Sequence, residues 1–330
     1  MAVTQLVGEP QLLRWEELNK TGFDRIDRAR AVVLVTCSPL EVHGPHLPMG
    51  ADMLEGAGLA RRMLRFLPER HQDRVFLELP PIYTATDTLP QPGSLFFQPS
   101  TTVRVLTELG RTLAAQGFTK VVVSNFHGGP RHFVAIERAC ARANRRYGLR
   151  MMPLFSVMLS QLTGGSLDLN AVLGDVPGIE RDDLVGDVHA GLVETAQLLA
   201  LHGGWVDPAF SALPRLTVDS WLEETKPGQA GAGLSEARGL VGTARSYRQV
   251  LRFFERNTYA GAPAGASAEI GERFLDLLGE RAAGACAEFL DGTLDPRDCH
   301  SPLWKFRFVL LNPLMIRLTD RLLGFRNPLV

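Results

Sequence analysis

The 330-residue sequence predicts an α/β fold, a three-layer α/β/α sandwich around a mainly parallel central sheet. Two observations carry that expectation. Continuous apolar, β-branched runs such as 31–37 (AVVLVTC) and 120–124 (KVVVS) read as strands buried on both faces. Stretches of helical length alternate with these runs, the signature of a sheet covered on both sides.

Taken in order, 31–37 is the first strand, and 53–67 is a helix whose apolar side is Leu54, Leu59, Met63 and Leu67. A short strand follows at 75–79. Ser100 caps a helix that reaches Gln116, with Gly117 as its stop. After the strand 120–124 come a helix over 131–147 closed by Gly148, a strand over 149–155 and a helix over 190–202 ended by Gly203 and Gly204. Segments 156–187 and 205–240 lack clear periodicity and read as loops or insertions of the kind that cover sites. Residues 259–266 (YAGAPAGA) form a loop before an amphipathic helix over 267–290, with Ser267 as its N-cap.

Composition narrows the function. The chain is 45% hydrophobic, enough for a full core. Its formal charge of −1, from 35 basic and 36 acidic residues, leaves no overall basic footprint for nucleic acid. Four widely spaced cysteines, Cys37, Cys140, Cys286 and Cys299, read as reduced thiols of a cytoplasmic protein. The first residues carry no secretory pattern, and no uncharged apolar stretch is long enough to span a bilayer.

Three segments carry chemistry. The first, Glu41-Val42-His43-Gly44-Pro45-His46-Leu47-Pro48 with Asp52 behind it, begins four residues after a buried strand, where open α/β sheets place their ligands. In extended chain Glu41 and His43 point to one face. An imidazole between two carboxylates suits zinc, manganese or iron. The second, Asn125-Phe126-His127-Gly128-Gly129, again follows a strand, and its glycines let backbone approach a ligand closely. The third runs from Asp187 to Thr195 (DVHAGLVET). Glu194 falls one turn into a helix, and His189 at the entrance is a candidate proton shuttle or oxyanion stabiliser. Alternatively, Asp187 or His189 caps that helix.

Together these segments resemble the creatininase family, whose motifs are E-Q-H-G-P-H-L-P followed by an Asp, then N-G-H-G-G-N, then D-x-H-A-G-x-x-E-T. Pro92-Gly93-Ser94 resembles that family's P-G-T loop, and residues 266–271 (ASAEIG) resemble its A-T-A-E-K-G helix start. The likeness runs from about residue 12 to 290.

It implies two divalent metals per chain, with Glu41 and His127 on one, His43 and Glu194 on the other, and Asp52 bridging. Creatininase proper has a glutamate two residues after the motif histidine, where this chain has Gly129, so the role passes to Glu194. Asp187, His189 and Glu194 are the implied catalytic residues, and Phe126, Gly128, Gly129 and Ser94 the implied substrate contacts. The implied activity is hydrolysis of a cyclic amide, a formamide or a peptide-like C–N bond in a small-molecule amide. The attacking hydroxide comes from water whose pKa two metals lower from about 15.7 towards about 7. The implied assembly is a homo-oligomer, commonly a hexamer.

Val42, Phe126 and Pro130 depart from the usual Gln, Gly and Asn, and no tryptophan lies between Trp15 and Trp205 to cover creatinine. Phe96, Phe97 and Phe126 suggest an apolar wall instead. These departures keep a second reading open, a catalytically idle relative that binds a ligand or organises a complex.

The amidohydrolase domain is assigned to 1–299 and a basic amphipathic tail to 300–330. In the tail Asn312 caps a helix that Pro313 starts and Gly324 ends, with Arg317, Asp320 and Arg321 on one face and Leu314, Met315, Leu318 and Leu322 on the other. Such a helix packs on its own core or a partner subunit, or makes peripheral contact with a membrane.

Overall fold

The computed structural model describes residues 10–163, 173–174, 176–225, 248–294 and 299–325. Parts of the expected loops (164–172, 175 and 226–240) and Arg326 of the tail lie outside the described residues. Five strands form one sheet: β1 (Gln11–Arg14), β2 (Ala31–Thr36), β3 (Val75–Glu78), β4 (Lys120–Ser124) and β5 (Arg150–Pro153). Their order is β1-β3-β2-β4-β5 and every pairing is parallel.

The strand period divides the core in two. Val32, Leu34, Phe76, Val122 and Met152 face one helical layer, while Val33, Val35, Leu77, Val121 and Met151 face the other. The first layer holds α1 (Ala51–Arg65), α4 (Leu154–Thr163), α5 (Leu192–His202) and α6 (Ala268–Asp291), and the second holds α2 (Pro99–Ala115) and α3 (Pro130–Tyr147). The three-layer expectation therefore holds.

Most ends behave as their residues demand. Ser267 Oγ accepts the Ile270 amide at 3.2 Å, and Gly148 takes the left-handed conformation at φ 68° that closes α3. β1 precedes the strand expected to be first, and the expected loop over 205–240 contains a helix at Val218–Thr225. Three further expectations change. α2 begins at Pro99, whose fixed φ and missing N–H suit a first helical position, so Ser100 is not the cap. α5 starts at Leu192 rather than 190, because Ala190 sits at φ 48° and Gly191, at φ −92° and ψ −146°, is not helical. Residues 154–163, read as strand end and loop, form α4; residues 154–159 are buried throughout, so no amphipathic period marked them.

The tail docks on α3. The Ser301 amide donates to Glu137 at 2.7 Å, and Asp320 of α7 (Pro313–Leu323) pairs with Arg131. Asn312 and Gly324 bound α7 as expected, but its faces do not divide as expected. Asp320 turns inward with Ile316, because the near-buried Arg131 guanidinium requires a carboxylate, while Leu314 is 72% exposed and Leu318 and Leu322 also face outward. All four cysteines are buried and none is in a disulfide among the described residues, and no described helix is long and apolar enough to cross a membrane.

Candidate metal centre

β2 and β4 are neighbours in register, with Thr36 opposite Ser124 at their carboxyl ends. Each chain then leaves the sheet into one of the motif loops, so adjacency of the strands brings the loops together. Asp52 comes from the first turn of α1, and Glu194 from the first turn of α5.

The five expected ligands converge. Glu41, Asp52 and His127 form one group of donor atoms all within 4.8 Å of each other, His43, Asp52 and Glu194 form a second, and Glu41, His43 and His189 a third. Asp52 is common to the first two. Its Oδ1 lies 3.4 Å from His43 Nε2 and its Oδ2 lies 3.4 Å from His127 Nδ1. His127 Nδ1 is also 3.0 Å from Glu41 Oε2, and His43 Nε2 is 3.7 Å from Glu194 Oε2.

Hydrogen bonds fix how the imidazoles present themselves. A carbonyl only accepts, so His127 Nε2 donates to Thr86 O at 3.0 Å and His43 Nδ1 donates to Glu41 O at 3.0 Å. The other nitrogen of each ring therefore turns a lone pair toward carboxylate oxygens. Two acceptors 3.0 Å apart need a cation between them, a proton or a metal. Glu41 Oε2, His43 Nε2 and Asp52 Oδ2 are all buried without a hydrogen-bond partner, as expected of atoms meant for an ion.

Without an ion, protons fill this need. Burial pulls His43 down most, but Asp52, Glu194 and Glu41 together raise it to about 10. His127 is raised well above its ordinary value, the carboxylates Glu41 and Asp52 overcoming burial. Burial, then Asp52, push Glu194 up to about 7 against the pull of His43. The donor set fits divalent metal: three carboxylates and two imidazoles are nitrogen and oxygen ligands of borderline hardness.

The His189 ring lies against that of His43, centroids 4.2 Å apart and planes tilted by 34°, and donates Nε2–H to Val42 O at 2.8 Å. Its free Nδ1 is therefore an acceptor, which suits a proton carrier better than an oxyanion donor. Burial, then the charge of His43, lower it to about 4. His189 and Glu194 keep partial exposure while Glu41, His43 and Asp52 are about 1% exposed, so these two mark the open side.

Other expected residues have different surroundings. Asp187 accepts the Leu192 and Val193 amides and lies against Gly191 and Gly261, where any Cβ would strike its carboxylate; it anchors the start of α5. Burial raises it to about 6. Ser94 Oγ accepts the Val42 amide at 3.1 Å, tying its loop to the metal loop. The Phe126 ring does not wall the site: it packs on Phe155 at 5.4 Å within the core, the direction the β4 alternation sends it. Phe96 and Phe97 contact Phe325 and Tyr83. Gly128 faces open space, and a Cβ on Gly129 would lie 2.5 Å from His127 Nε2.

Some contributors gave no signal in the sequence. Thr86 acts through a backbone carbonyl, and Leu89 through an amide that donates to Glu41 Oε1 at 2.5 Å. Ala260 pairs with His189 in an antiparallel bridge, giving the expected loop 259–266 the task of backing that histidine. Glu55, one turn beyond Asp52, is fully buried with both oxygens unpartnered and is raised well above its ordinary value by burial, then Glu194 and Asp52. Only its three-residue spacing from Asp52 could have singled it out.

A three-layer α/β/α protein with a buried imidazole–carboxylate centre at its strand ends is the class this geometry defines. Within that class, a family model described as creatinine amidohydrolase matches residues 16–286, and the chain belongs to the creatininase family, whose members are amidohydrolases. Solved structures share the fold. A tryptophan-to-phenylalanine variant of creatininase aligns with TM-score 0.55 and 20% identity over 83% of this chain and 98% of its own. A manganese creatininase gives 0.53 and 20% over 84% and 98%. A glutamate-to-glutamine variant complexed with creatine gives 0.53 and 18% over 86% and 99%. The comparison with curated proteins found no match.

Proposed function

We propose that this chain is a metal-dependent amidohydrolase that cleaves a non-standard amide C–N bond, in a cyclic amide, a formamide or a peptide-like small molecule. The observation that carries the reading is Asp52, whose two oxygens face two different imidazoles, each with its own second carboxylate. On this reading Glu41 and His127 hold one divalent ion, His43 and Glu194 the other, and Asp52 both. Three carboxylates leave one positive charge of such a pair unbalanced, which suits a site where negative charge develops. When bound, the ions supply Lewis acidity toward the amide carbonyl and activation of water.

The chain's own residues do the rest. His189 takes up a proton at Nδ1 on the open side and passes it to the leaving nitrogen. The Ala190 amide, 2.6 Å from Glu194 Oε2, holds that carboxylate in place, and Asp187 fixes the loop between them. Gly128 offers unobstructed backbone to a substrate, with Gly129 and Ser94 beside it.

Related structures include a manganese creatininase and a zinc–zinc form of a creatininase variant, and we take these two metals, with iron, as the candidates here. A cytoplasmic homo-oligomer is the expected setting, with 1–299 as the amidohydrolase domain and 300–330 as an appended tail. Protein purified without chelators should carry about two divalent ions per chain and hydrolyse at least one member of a panel of cyclic amides and formamides. Metal-replete protein that turns over none of them would leave a binding role as the better account.

A further inference from the structure

α2 and α3 lie side by side on one layer, and each turns arginines into a shared groove of about 640 Å³. α2 contributes Arg104 and Arg111; α3 contributes Arg138, Arg142 and Arg146, one helical turn apart. Arg307 from the tail is the sixth. None of them belongs to the metal centre. Val103, Phe308 and Leu311 give the groove an apolar portion.

Among the described residues little of this charge is balanced. Glu108 is the one acid in the lining, and it pairs with Arg104 at 2.9 Å. Among the described residues Arg111, Arg138, Arg142 and Arg146 form no salt bridge. Arg138, Arg142 and Arg307 are half-buried, where like charges repel through less water than at an open surface. Burial, then Arg145, Arg307 and Arg142, pull Arg138 below its ordinary pKa. Arg307 stacks on Trp304 and Phe308 with centroid distances of 4.8 and 4.3 Å, which orients its guanidinium. A net charge of −1 for the whole chain conceals this local concentration.

We propose that the groove binds a ligand carrying two or more phosphate groups beside an apolar or ring portion. The guanidinium fork matches phosphate oxygens in pairs, and lysine, which would give charge without the fork, is absent from the lining. The row from Arg138 to Arg146 spans about 12 Å along α3, too long for one phosphate. The same set of phosphates could be presented by a soluble nucleotide-like molecule or by two or more neighbouring anionic headgroups of a lipid surface, and the experiment separates the two.

ADP is titrated by calorimetry, and sedimentation is measured with phosphatidylcholine vesicles with and without phosphatidylglycerol. The wild type should bind ADP, or sediment only with phosphatidylglycerol present, in either case more weakly as salt rises. Arg138→Gln with Arg142→Gln should weaken the binding at least roughly tenfold, while Arg138→Lys with Arg142→Lys loses less. Should the glutamine pair fail to fold, the exposed Arg146→Gln alone should still weaken it. ADP binding without vesicle binding assigns a soluble ligand, and the reverse assigns lipid. Binding to neither probe, or binding unchanged in these variants, overturns the proposal. So does a double variant that only lowers the mass seen by light scattering, since the groove would then be a subunit contact.

Discussion

Asp52 and Gly129 hold the centre to its geometry in opposite ways, one by what it supplies and one by what it lacks. If Asp52 serves two ions, Asp52→Ala should remove most of both, and elemental analysis finding one ion still tightly held would end the bridging assignment. Gly129 has no side chain because the space belongs to His127: a Cβ would meet Nε2 at 2.5 Å and Asp87 Cβ at 2.9 Å. The same contact leaves no room here for the glutamate that creatininase proper carries at this position. Gly129→Ala should displace the imidazole from Thr86 and lower metal content with little change in circular dichroism; full metal loading would show that the loop yields. His189 separates chemistry from binding. His189→Ala should keep its metal and lower kcat by roughly 10²–10⁴, whereas His127→Ala should lose metal. Equal metal loss in both would make His189 a ligand.

Among the elements, α5 matters most because Glu194 rides on it between α1 and α6. A Cβ on Gly271 of α6 would lie 1.9 Å from Ala196 O, a backbone atom that cannot swing aside. Gly271→Ala should therefore destabilise the fold by about 1–3 kcal/mol in urea unfolding and weaken metal binding as well. A neutral result would mean that the two helices slide apart freely.

α3 carries a different liability. Burial raises the Glu137 carboxyl from 4.5 to about 7, although the Ser301 amide donates to it. A raised carboxyl is protonated in the folded chain where the unfolded chain has already ionised. Its contribution is thus present below about pH 4.5 and fades through about pH 7, worth up to about 3 kcal/mol. Glu137→Gln should be the less pH-sensitive protein when stability is compared across that window. The amphipathic helices and doubly buried strands of this fold were legible because period and apolar runs record burial directly. The edge strand β1 and the wholly buried α4 were not, since one is short and partly exposed and the other has no polar face. In the site, the carboxylates and imidazoles that converge were legible as candidates from residue type and spacing. Phe126 was misread because its position beside His127 said nothing of the side of the sheet it faces, and the backbone groups of Thr86, Leu89 and Ala260 leave no trace in residue identity.

The whole molecule is closed by its tail. Asp320 pairs with Arg131, which also reaches Asp87, and Arg131 lies in the first turn of the helix that follows the His127 loop. Outside that pairing, Leu314, Leu318 and Leu322 repeat every fourth residue along α7 and face outward. Exposed apolar stripes of this kind usually meet another surface, so light scattering should give a mass above the 36.2 kDa of one chain, and a clean monomer at micromolar concentration would contradict the assembly. The bonds that shape the centre join distant parts of the sequence. His189 reaches Val42 across 147 positions, His46 reaches Thr195 across 149, and Arg131 reaches Asp320 across 189. Contacts of such separation form late, because each must first close a long loop of disordered chain. The sheet from β2 to β5 needs only residues 31–153. During refolding, then, far-ultraviolet circular dichroism should recover before the chain can take zinc from a coloured chelator, and the two signals will rise together only if the centre assembles with the sheet.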